Sequence, residues 1–212
     1  MILYRVGAPF GAALARCLVA VAGTRSPTSL GRELAREIGC RLAEAGYTVV
    51  AGFARGVDEE AVFGALEAGG RVVAVLPYLF ERGGRLNPRV VRLLRVATLR
   101  GALASAVAEN LVKDNSRVRA WLAMCNRVIV RMASALVVPE ARFKPAHWGT
   151  RCAVEHALTA GRPVLVFKPL AKSGDVIKAY VYFRQRGAIV IEDVDDVIDI
   201  VERQCRHRRK TV

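Results

Sequence analysis

Short apolar runs alternate along this chain with stretches whose apolar residues recur at helical spacing. That alternation restricts the fold more than any other feature. The runs fall at 18–22, 47–51, 71–76, 135–138, 163–167 and 188–191. Between them, helices are expected at 29–45, 58–68, 118–133, 150–159, 175–186 and 194–206, and another opens at Asn87-Pro88. In the first helix Leu30, Leu34, Ile38 and Leu42 line one face. Strands alternating with helices make βαβ units, so the expected class is α/β, with a mainly parallel sheet and helices on both faces. Asp58 is placed to cap its helix, and Asn87 and Pro88 fit the N-cap and first helical positions of theirs. Residues 99–116 show no usable period, and 1–16 form a lead-in of unassigned shape. One domain over 17–202, followed by a basic tail over 203–212 that frays, completes the expectation.

Of the 212 residues, 53% are hydrophobic but only 7% aromatic, so Val, Leu, Ile and Ala must build the core. Charge is lopsided, with 33 Lys and Arg against 19 Asp and Glu, a net of +14. The tail carries Arg203, Arg206, Arg208, Arg209 and Lys210, and the body stays basic without them. A basic body fits a polyanionic partner, either nucleic acid or an anionic membrane surface, while a solvated arginine surface is the plainer reading. Cys17, Cys40, Cys125, Cys152 and Cys205 are scattered with no CxxC pair. They read as free thiols, with neither a disulfide framework nor a metal site, and His147, His156 and His207 make no ligand cluster. No apolar run approaches the ~18 residues of a membrane span, and Arg5 and Arg16 interrupt the N-terminal apolar stretch. The expected location is the cytoplasm, away from membranes.

Ligands of open parallel sheets bind beyond the carboxyl ends of the strands, so the strand-to-helix turns are the places to search. The first, Gly23-Thr24-Arg25-Ser26-Pro27-Thr28, combines a small residue, a guanidinium and the opening of a helix, a combination suited to phosphate. An ordinary turn capped by Ser26 or Thr28 is the alternative. Neither the GxGxxG dinucleotide fingerprint nor a Walker A sequence is present. The second turn, Gly52-Phe53-Ala54-Arg55-Gly56-Val57-Asp58, repeats the design. Within the helix expected over 118–133, Asn126-Arg127 is an unusual polar pair, since Asn is a weak helix former. His147-Trp148-Gly149-Thr150 opens a further helix, where Gly149 and Thr150 offer N–H and hydroxyl donors. Trp148 either stacks on a base or plugs the loop. Arg82, Arg85, Arg89, Arg92, Arg95 and Arg100 form either a polyanion track or a solvated helix face.

In combination and order, these turns resemble the DprA/Smf family of DNA-processing proteins over about residues 18–201. The matching segments are Gly23 to Gly31, Gly52 to Asp58, Gly64-Ala65-Leu66, Gly69-Gly70, Asn126-Arg127-Val128-Ile129 and Ala135 to Ala141. The resemblance implies an extended Rossmann-like fold, often dimeric, that grips single-stranded DNA phosphates in a basic pocket without a catalytic residue or cofactor. It also implies a RecA-type recombinase as a partner. The implied binding set is Gly23, Thr24, Arg25, Gly52, Arg55, Gly56, Asn126, Arg127, Trp148, Gly149 and Thr150, meeting in one cavity. Two departures stand out: Val62 occupies the family's usual His position, and His147 to Thr150 replace a Ser-Gly-rich turn. The rival reading is a Lonely Guy-type nucleoside-monophosphate phosphoribohydrolase, with Arg127 on the phosphate and Glu155 assisting glycosidic cleavage. A nucleotide carrier or sensor is the third.

Overall fold

The computed structural model describes residues 4–7, 17–79, 85–97, 101–105 and 116–209, with side chains at 17–79, 85–92, 119–145 and 147–206. The alternation is realised as β1 (Tyr4–Gly7), β2 (Leu18–Val21), α1 (Ser29–Glu44), β3 (Thr48–Ala51), α2 (Val57–Glu67) and β4 (Arg71–Val75). Then come α3 (Pro88–Ala97), β5 (Gly101–Ser105), α4 (Ser116–Met132), β6 (Ala135–Val138) and α5 (Trp148–Thr159). The chain ends with β7 (Val164–Phe167), α6 (Gly174–Gln185), β8 (Ile189–Ile191) and α7 (Val194–Arg209), and a 3-10 turn over Pro145–His147 leads into α5.

Among the described residues the strands form one sheet in the order β1-β5-β4-β3-β2-β6-β7-β8. All neighbours are parallel except β1, which runs antiparallel to β5. This is the expected α/β Rossmann-like class. Two strands were not read from sequence: β1 lies within the lead-in, and β5 within the aperiodic segment 99–116. Arg82 and Arg100, and the side chain of Arg95, expected as part of an arginine track or helix face, lie outside the described residues.

The strands are apolar on both faces because both faces are covered. Val19 and Val21 of β2 join one core with α1, α2 and α7, while Leu18 and Ala20 join the other with α4, α5 and α6. Val62, at the family's His position, is fully buried in the first core. Thr28 caps α1 by accepting the Gly31 N–H at 3.0 Å, and Asn87 caps α3 by accepting the Arg89 N–H at 2.9 Å. Where α1 crosses α2, a Cβ at Gly39 would run into the Ala61 carbonyl, and one at Gly64 into the Arg36 carbonyl. The two helix backbones therefore touch through paired glycines.

Two expectations need correction. The basic segment from Arg203 does not fray at once, because α7 continues through Arg209. Its Val194, Val197, Val201 and Cys205 recur at helical spacing and are buried, which holds the helix on the sheet. Cys17 and Cys205 are not free thiols. They form a disulfide with their Cα atoms 6.0 Å apart, leaving Cys40, Cys125 and Cys152 free. Packing of α7 beside the root of β2 brings together two residues separated by 188 positions, a pairing with no local spacing signal.

Alkylation of the denatured protein should label three cysteines without reductant and five after reduction, as read by intact mass. Five labels under both conditions would contradict the disulfide. Gly64→Ala should destabilise the fold by about 1–3 kcal/mol through overpacking, lowering Tm by roughly 2–4 °C per kcal/mol in thermal melts.

Candidate functional site

In this sheet β2 is flanked by β3 on one side and β6 on the other. The chain therefore winds away from β2 in both directions, and a crevice opens beyond the strand ends at that point. A narrow cavity of about 90 Å³ lies there. Gly23 and Arg25 line it from the turn after β2, and Gly52 and Asp58 from the turn after β3. Leu122, Cys125 and Asn126 of α4 form another wall, and His147, Trp148, Gly149 and Thr150 at the head of α5 close it.

Asp58 holds the first two turns together. It was expected to cap α2, but the cap position belongs to Gly56, and Asp58 lies inside the first turn of the helix. Its Oδ1 accepts the Gly23 N–H and its Oδ2 the Gly52 N–H, each at 3.2 Å. Burial pushes the carboxyl up to about 6, against the pull of the Gly23, Ala54 and Gly52 amides and the Arg25 charge. Gly56 completes the joint. At φ +96°, its Cβ position lies 2.5 Å from the Thr24 carbonyl, so both the conformation and the space demand glycine.

A second carboxylate, Glu140 after β6, fixes the far side of the first turn. Its carbonyl accepts the Thr24 N–H at 2.9 Å. Its side chain accepts the Thr28 N–H at 3.1 Å and the Thr28 hydroxyl at 2.5 Å. Arg142 Nε adds a bond to the Ser26 carbonyl at 2.8 Å. Thr24 Oγ1 meets His147 Nδ1 at 3.1 Å and accepts the Ser26 N–H. Burial and the Arg142, Lys144 and Arg25 charges keep His147 below its ordinary pKa.

The N–H groups of Gly23, Thr24, Ser26, Thr28 and Gly52 thus already donate within the protein. Gly23 and Gly52 bring the backbone close, and their own donors serve Asp58. The start of α5, by contrast, has no side-chain cap. A helix start leaves its first N–H groups without intrahelical partners.

Residues 1–202 match the family described as DNA recombination-mediator protein A. The chain belongs to that family. It is 30% identical over 168 residues to protein Smf of Synechocystis, covering 76% of this chain and 38% of that protein. It is 25% identical over 187 residues to DNA processing protein DprA of Bacillus subtilis, covering 85% and 58%. The chain therefore spans less than two thirds of either curated relative. The single-stranded-DNA-binding DNA processing protein A of Helicobacter pylori superposes with a TM-score of 0.76 at 21% identity, over 96% of this chain and 87% of that one.

Measured against the set that family resemblance implied, the cavity gathers Gly23, Arg25, Gly52, Asn126, Trp148, Gly149 and Thr150. Thr24 is buried behind it, bonded to His147, and Gly56 forms the joint beneath. Arg55 lines a neighbouring cleft, and Arg127 lines neither. Convergence of Arg25, Arg55 and Arg127 on one cavity is thus corrected. Asn126 faces α5, where its Nδ2 donates to the Gly149 carbonyl at 3.0 Å. Arg127, one residue on and so about 100° around the helix, is exposed and lies near Cys152 and His156. Glu155 also lies outside the cavity and accepts the Tyr182 hydroxyl at 3.0 Å. The pair required by the phosphoribohydrolase reading is therefore not assembled there.

Sequence reasoning missed Glu140 and the bridging role of Asp58. One signal was available: each is an acid set directly beyond an apolar strand or turn in a strongly basic chain. Because the folded pKa of Asp58 exceeds its ordinary value of 3.8, its contribution to stability is fullest below about pH 4 and is lost as pH rises through about 6. The advantage of the wild type over Asp58→Asn in chemical denaturation should therefore shrink between pH 4 and 7, by on the order of 3 kcal/mol. A difference independent of pH would contradict a raised pKa.

Proposed function

We propose that this chain is a non-enzymatic binder of single-stranded DNA that holds the phosphate backbone at the strand-end cavity and serves in DNA uptake, processing or recombination. Arg25 carries the reading. It is exposed at the cavity rim and makes no ion pair among the described residues. Beside it lie the uncapped N–H groups of α5, and a cation beside such donors suits a phosphodiester. The buried Asp58 carboxylate, turned onto two amides, leaves this rim to Arg25. Trp148 lines the same wall and supplies a face for a base. The net charge of +14 supports long-range attraction of a polyanion, and the Helicobacter pylori relative binds single-stranded DNA.

The proposal extends to a homodimer that works in the cytoplasm with a RecA-type recombinase. Among the described residues no helix is long and apolar enough to cross a membrane. Polarisation of a labelled dT20 oligonucleotide should rise on titration with protein, and affinity should fall steeply with added salt. Arg25→Ala should weaken binding tenfold or more, while AMP should compete poorly. A wild-type protein with no salt-dependent binding would end the proposal.

A further inference from the structure

Beside the narrow cavity lies a wider, shallower cleft of about 520 Å³. Arg32, Phe53, Arg55, Glu59, Arg89 and Arg92 are among its lining residues. Arg89 also lines the narrow cavity, so it is shared by the two spaces. It is the first residue after Pro88 in α3. Its position is fixed by the Asn87 cap, whose own N–H donates to the Leu79 carbonyl at 2.9 Å.

The cations of the wide cleft are not equivalent. Arg92 pairs with Glu59 and lies over the Phe63 ring, 5.2 Å from its centroid, and Arg32 pairs with Glu60 at 3.4 Å. Both are already neutralised. Arg55 and Arg89 make no ion pair among the described residues, and neither does Arg25 in the narrow cavity. The guanidinium groups without an ion pair therefore run from Arg25 through Arg89 to Arg55, from one space to the other. Phe53, on the floor of the wide cleft, holds φ at +47°, a left-handed conformation that a bulky residue rarely adopts. Its ring lies edge-on to Phe63, with centroids 6.0 Å apart. That backbone leads directly to Arg55.

We propose that Arg89 joins the two spaces into one track, so that the preferred ligand carries at least two linked phosphates: one held by Arg25 and Arg89, the next by Arg89 and Arg55. This inference rests on the nucleic-acid reading above and deepens it. A mononucleotide fills only one space and engages Arg89 from one side, whereas a phosphodiester chain uses both.

The test uses the full chain and polarisation of labelled dT20, with unlabelled thymidine monophosphate and the dinucleotide pdTpdT as competitors. Wild type should prefer pdTpdT by more than tenfold. Arg89→Ala should weaken dT20 binding at least tenfold, reduce the slope of log affinity against log salt by about 0.7 and shrink the dinucleotide preference. Arg89→Glu should weaken binding further, and melting curves confirm that each variant folds. Arg71→Ala removes an equal charge at the opposite end of the sheet, at the start of β4, and should change affinity less than twofold. In double variants, Arg89→Ala with Arg25→Ala, and with Arg55→Ala, should each lose less than the product of the single effects. If Arg89→Ala binds like wild type while Arg25→Ala is weakened, the bridge is wrong and the nucleic-acid reading stands. If wild type binds no oligonucleotide, both fall.

Discussion

The carboxylate of Asp58 is the contact on which the site depends. A buried ionisable group with hydrogen-bonding amides on both oxygens has no latitude, because losing either partner leaves a polar atom stranded in an apolar interior. Gly23 and Gly52 belong to different βα units, so this one side chain sets the spacing of two turns that the sheet alone positions only roughly. Glu140 does the same from the other wing through Thr24 and Thr28. The two acids enclose the first turn between β3 and β6, and Arg25 projects from the segment they hold.

This arrangement separates support from recognition. Most amides of the first turn are engaged internally, so the surface offered to a ligand consists of guanidinium groups and the open end of α5. A cradle of backbone amides would impose one geometry. Arginines on flexible stems, with their bases fixed, suit a polymer whose phosphates vary in spacing.

Much of the fold was legible because buried parallel strands have a simple signature. Runs such as Val49-Val50-Ala51 and Leu136-Val137-Val138 are apolar on both faces, and the helices between them show a clear period. β5 was illegible because Gly101-Ala102-Leu103-Ala104-Ser105 contains no β-branched residue, and its strand character comes from pairing with β4 and β1. The site was partly legible. Gly23, Arg25 and Gly52 were found because turns after strands are the right places to search, and Asn126 because a polar residue mid-helix is conspicuous. Arg127 was misplaced for lack of helical phase: sharing a motif with Asn126 does not mean sharing a face. Asp58 was misread because a capping rule is local, whereas its two partners include one 35 residues away. The pairing of Cys17 with Cys205 depends on tertiary packing alone.

The position of β2 between the two wings of the sheet has a kinetic consequence. The turns that build the cavity come from segments far apart in the chain, and Asp58 and Glu140 reach them from opposite sides. Neither wing can assemble the cavity by itself, so an intermediate with only one wing docked has a half-built rim. Parallel sheets with such long-range pairings form slowly. Competence to bind should therefore arise late and all at once, making ligand capture a sensitive report of complete maturation.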